Sequence, residues 1–111
     1  MNISLHENIE TIESGYEFML AYAAQGRETD SGLEVRQTLE NMSAAAAAIV
    51  GELDGGDFAD VVADDARKSR AAIGFVLAQK DISSELVDNL NVSIHLRALV
   101  TDLFLLSEAK T

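Results

Sequence analysis

Leu90-Asn91-Val92-Ser93-Ile94-His95-Leu96 decides the fold class of this chain. Its strict apolar–polar alternation is the pattern of a half-buried strand. Nothing else in the sequence reads as a strand, so a lone one would leave its backbone N–H and C=O groups unpaired. Helical spacing also runs through Val92, Leu96, Leu99, Val100 and Leu103. The stretch is therefore read as helix, with a break near Asn89–Asn91 as the alternative.

Three further segments upstream carry the same 3.6-residue period. In the first, Leu5, Ile9, Ile12, Tyr16, Met19 and Ala23 form one stripe. Ser4 with Glu7 reads as a capping box, and Gly26 as the stop. The second opens on another capping box, Ser31 with Glu34, and its stripe is Val35, Leu39, Met42, Ala46, Ile49 and Leu53. Asp54-Gly55-Gly56 ends it, and Asp57 is placed to cap a third segment with the stripe Phe58, Val62, Ala66, Ile73 and Val76. Asp81 or Ser83 caps the fourth. The segments span about 4–25, 31–53, 57–79 and 83–108, each roughly 33–39 Å long. Connections this short place sequential helices antiparallel. The expectation is an all-α, up-down-up-down four-helix bundle, one domain over 1–111, that self-associates.

Composition bounds the function. Nineteen acidic residues against eight basic ones give a net charge of −11 in 111 residues. That balance argues against nucleic acid and against anionic membrane surfaces, both of which are bound through Lys and Arg. Apolar residues make up 48%, enough to fill a core, and the absence of cysteine excludes disulfides and thiolate chemistry. The longest apolar run, Ala44–Val50, is far short of the roughly 18 residues of a membrane span. Residues 1–26 hold no Lys or Arg, so no signal-peptide n-region is expected, and a cytoplasmic location is.

Phe18 and Tyr22 stand one turn apart, away from the first stripe, while Val87, Ile94 and Leu105 (with Ala98) line the side of the fourth helix opposite its core. Apolar surface of this kind marks a contact, and these five residues are the expected interface of a homodimer or of another protein partner. Glu10, Glu13 and Glu17 form an acidic flank on the first helix, and Arg67, Lys68 and Arg70 a basic island on the third. The small residues Ala44, Ala47, Ala48 and Gly51 need no account beyond helix propensity.

Asp65 and Ser69 fall inside the apolar arc of the third helix. Asp88, Asn91, His95 and Asp102 share a polar lane on the fourth. Buried polar groups must be hydrogen-bonded or paired, so these residues are expected to form a buried network or to surround a ligand. Neither His6 nor His95 has a Glu three residues before it, which departs from the Glu-x-x-His spacing of di-iron bundles. No metal and no cofactor are expected, and no hydrolytic triad or phosphate-binding glycine loop is present. The leading function is a non-catalytic interaction module (an adaptor, chaperone or assembly factor) acting as a homodimer. The alternatives are an acidic inhibitor or immunity-type protein for a basic partner, and a small-molecule or metal binder, or an enzyme, using the interior polar groups.

Overall fold

The computed structural model describes residues 3–31 and 34–109. The expected ends of the domain at 1–2 and 110–111, and residues 32–33 of the expected second helix, lie outside them. Among the described residues all regular structure is helical: α1 (Ile3–Ala23), α2 (Val35–Glu52), α3 (Asp57–Leu77), α4 (Ser84–Asn91) and α5 (Ile94–Glu108). The molecule measures 43 × 21 × 18 Å. α1 packs chiefly against α2 and α4, and α3 against α2 and α5.

The expected fourth helix is two helices, and the break falls at Val92–Ser93 rather than at Asn89–Asn91. Ser93 leaves the helical region at ψ 141°, and its hydroxyl accepts the Leu96 N–H, making it the N-cap of α5. The two axes meet at a bend of 57°. Only Leu90 and Leu96 of the alternating stretch are apolar and buried, the one closing α4 and the other opening α5. Val92 and Ile94 are 59% and 78% exposed, so Val92 leaves the core assigned to it. Phe58, another expected core residue, is 39% exposed at the start of α3.

Caps account for the remaining shifts in helix ends. Ser83 caps α4 by accepting the Leu86 N–H, as expected. The Ser31–Glu34 box does not form: Glu34 itself is the N-cap of α2, with no side-chain cap. Ser4 lies within α1, which begins at Ile3. Gly56, at φ 101°, occupies the cap position expected for Asp57, which becomes the first residue of α3.

The core runs the length of the molecule through Ile9, Ile12 and Met19 of α1, Leu39, Met42 and Ile49 of α2, Val62 and Ile73 of α3, and Leu96, Leu99 and Leu103 of α5. Gly15 lets α1 approach α2, because a Cβ there would stand 2.5 Å from Met42 Cγ.

A hydrogen-bonded knot ties one end of the molecule together. Arg36 donates from Nε to Asp30 Oδ2 at 2.7 Å, from Nη1 to the Leu77 carbonyl at 2.9 Å, and from Nη2 to the carbonyls of Gln79 and Lys80 at 2.8 and 2.9 Å. Asp30 Oδ1 accepts the Ile82 N–H at 2.9 Å. Ser84 donates to the Tyr22 carbonyl and accepts the Arg27 N–H. One guanidinium thus satisfies carbonyls at the end of α3 while holding the segment before α2. Arg36→Ala is expected to lower stability by about 2–3 kcal/mol in urea titrations followed by circular dichroism, because it removes several charge-assisted bonds at once. Arg36→Lys should recover little of the loss, since an ammonium cannot reach the three carbonyls and Asp30 together.

Candidate functional site

The residues expected at an interface divide into two groups. Tyr22 and Val87 are core residues, 2% and 0% exposed, and cannot meet a partner. Tyr22 donates to the Ile82 carbonyl at 2.6 Å, and its ring stacks on half-buried Phe18 with centroids 6.4 Å apart. Phe18 lines a shallow groove with Thr11, Ser14, Thr38 and Asn41. Ile94 and Leu105 do face solvent, at 78% and 57%.

The interior polar residues do not form one network. The Ser69 hydroxyl donates to the His95 backbone carbonyl at 2.9 Å, tying α3 to the start of α5. The Asn91 amide donates to the Met19 carbonyl at 3.0 Å, tying α4 to α1, while its Oδ1 is buried without a donor. The side chains of Asp88 and His95 point to solvent. These contacts fix helix positions.

Asp65 and Asp102 are different. Asp102 sits on the flank of α5 against α3, only 7% exposed, and meets half-buried Asp65. Written as a carboxylate, Asp102 leaves Oδ2 buried with no donor. An acid there would have a proton to donate to Asp65, the neighbour whose hydrogen bond and charge act on it. Burial first, and then the bond to Asp65 and its charge, push the Asp102 carboxyl up to about 7. The sequence marked Asp65 and Asp102 as polar intrusions on separate helices; nothing in it announced that they meet.

Apolar residues share the faces that carry this pair. Val61 and Ala72, with Lys68 between them, lie at helical spacing from Asp65, and Ala98 and Leu105 from Asp102. Ile94, Arg97, Ala98 and Thr101 form a shallow hollow with Asp102. Phe75, 67% exposed, borders a second, apolar hollow with Ala72, Leu86 and Leu90 where the chain bends. No protein family, no curated protein and no solved structure matches this chain.

On the far side, Glu10, Glu13 and Glu17 line a shallow depression with Ser14. Burial first, then the neighbouring Glu10, raises Glu13 above the ordinary carboxylate range. In the basic island, Arg67 and Lys68 both pair with Asp64, and Arg70 donates to Ser43 on α2. Among the described residues no three His, Asp or Glu side chains are grouped to hold a metal ion. Nor is any single helix long and apolar enough to cross a membrane; α4 and α5 reach that composition only together, across their bend.

Proposed function

We propose that the chain is an up-down-up-down four-helix bundle, with α4 and α5 together as its fourth arm, serving as a non-catalytic interaction module that pairs with a second copy through the outer face of α3 and α5. The observation that carries this reading is that two helices packed on each other both leave large apolar side chains exposed, Val61 and Phe75 on α3 and Ile94 and Leu105 on α5, at 47–78%. Isolated apolar side chains on a surface are ordinary, whereas a contiguous face across two packed helices is the form an interface takes. This face replaces the one expected from Phe18, Tyr22 and Val87, and keeps Ile94 and Leu105.

Charge favours a second copy as the occupant. The chain carries −11 overall, so two copies repel over most of their surfaces. On this face Asp64, Asp65 and Asp102 stand beside Lys68 and Arg97. With one proton on the carboxyl pair, the two remaining negative charges meet Lys68 and Arg97, and Arg67 also reaches Asp64, so this face is close to neutral while the chain as a whole is not. A twofold axis through the face then brings apolar surface together without net repulsion.

The test is molar mass by light scattering over a dilution series at pH 6, beside helicity by circular dichroism. Wild type is expected as a dimer at tens of micromolar. The Ile94→Ser, Leu105→Ser variant should be monomeric with unchanged helicity, because both side chains are exposed. A wild type that stays monomeric throughout would remove the reading. The acidic depression on α1 supports a second one, capture of a basic partner that relieves the crowding at Glu13. Ionic strength separates them: a basic partner is lost steeply as salt rises, and an apolar self-contact is not.

A further inference from the structure

The Asp65–Asp102 pair lies within the proposed face, with apolar neighbours on both helices. Any partner seated there removes the remaining water from the hollow formed by Ile94, Arg97, Ala98, Thr101 and Asp102. Two ionised carboxylates cannot be covered in this way cheaply, because they repel each other and Oδ2 of Asp102 has no donor. One proton changes both conditions: the acid donates to its neighbour, and a single negative charge is spread over the two groups.

We infer that a proton held between Asp65 and Asp102 gates the pairing of two copies through the α3–α5 face. The inference rests on the self-association proposed above and adds its control. Proton uptake closes the face into a covered interface, and proton release adds one negative charge per copy and drives the copies apart. The change falls near neutrality, since burial and the contact with Asp65 bring the Asp102 carboxyl to about 7.

The surrounding charges are few. From α3, Asp65 bonds to Asp102, whereas Lys68 is engaged at 2.9 Å by Asp64. Arg97 of α5 lies on the rim of the same hollow, and His95 stands two turns before Asp102 with its side chain in solvent. Among the described residues, no charged side chain of α1 or α4 contributes to the shift at Asp102. Asp102 is therefore the titrating group that the packing itself creates, and His95 is the one control the test needs.

The experiment measures the dimer dissociation constant between pH 6 and pH 8 for wild type, Asp102→Asn and His95→Gln. Wild type is expected to weaken by about tenfold or more over that interval. Asp102→Asn, which keeps the shape and cannot lose a proton there, should stay as tight at pH 8 as wild type is at pH 6. His95→Gln should keep the wild-type dependence. As a readout independent of assembly, the Asp102 carboxyl carbon resonance of the monomeric Ile94→Ser, Leu105→Ser variant should titrate near 7. A dimer that ignores pH, a dependence that survives in Asp102→Asn, or a resonance titrating near 4 would overturn the gate and leave the face standing. A monomer at every pH would remove the face, and the gate with it.

Discussion

Tyr22→Ala is expected to cost about 3–5 kcal/mol of folding stability, the range for emptying a buried aromatic position. The side chain is 2% exposed and stands where α1 meets the segment before α4. Its hydroxyl donates to the Ile82 carbonyl at 2.6 Å and lies 3.3 Å from that of Thr29. Burial, ahead of the nearby Asp30, also raises the phenol above its ordinary value. Tyr22→Phe keeps the ring and isolates the loss of the donor, which should cost about 1–2 kcal/mol. Domains of this size have only about 5–15 kcal/mol in total, so Tyr22→Ala should be partly unfolded at room temperature in mild urea. Urea titration by circular dichroism is the measurement. A change below about 0.5 kcal/mol would return Tyr22 to the surface.

Why Tyr22 read as surface is a matter of which neighbours a helix has. Its angle on α1 is well away from Ile9, Ile12 and Tyr16, and a helix facing one neighbour would leave it exposed. α1 has two main neighbours, α2 and α4, so its buried arc is wider than its stripe. Closure also depends on the Ile82 carbonyl, sixty residues away along the chain. Val87 failed for another reason. Its angle faces away from Leu96, Leu99 and Leu103 only if one helix runs through all of them. The 57° bend after Val92 resets that phase, so α4 buries Val87, Leu90 and Asn91 on its own terms.

What local pattern governs was legible. The stripes Ile9–Ile12–Met19, Leu39–Met42–Ile49 and Leu96–Leu99–Leu103 are buried throughout, because periodicity within one helix is a property of its own residues. The Ser83 cap was legible for the same reason. Pairings across the chain were not. Arg36 reaches Leu77, Gln79 and Lys80, and Asp65 reaches Asp102, through packing that no short window of sequence contains. The candidate site followed the same division: the exposure of Ile94 and Leu105 was legible from helical angle, while the meeting of Asp65 with Asp102 depended on which helix packs against α5.

The Asp65–Asp102 contact should also make the isolated fold less stable as pH rises, the reverse of the usual behaviour of a paired carboxylate. Asp102 has its acid form favoured in the folded state, at about 7 against 3.8. Between those values the folded chain holds more protons than the unfolded one, so stability falls with increasing pH. The contribution is full below the unfolded value and is lost as pH climbs through the folded one. Three units at about 1.4 kcal/mol each set the scale, and a loss of roughly 2–4 kcal/mol between pH 5 and pH 8 is expected. Asp30 acts in the opposite sense, because the Ile82 N–H first, and Arg36 after it, hold its carboxyl below the ordinary range. Its stabilisation disappears only as pH falls below about 4, outside that interval. Glu13, raised by burial, adds to the Asp102 trend, but its partial exposure keeps the addition small. The measurement is urea unfolding of the Ile94→Ser, Leu105→Ser monomer, in which association adds nothing to stability. With Asp102→Asn added, most of the decline between pH 5 and pH 8 should vanish, because an amide satisfies Asp65 with an N–H at either pH. An undiminished decline in that variant would place its origin elsewhere, and a stability that stays level over the interval would show that Asp102 is ionised in the fold.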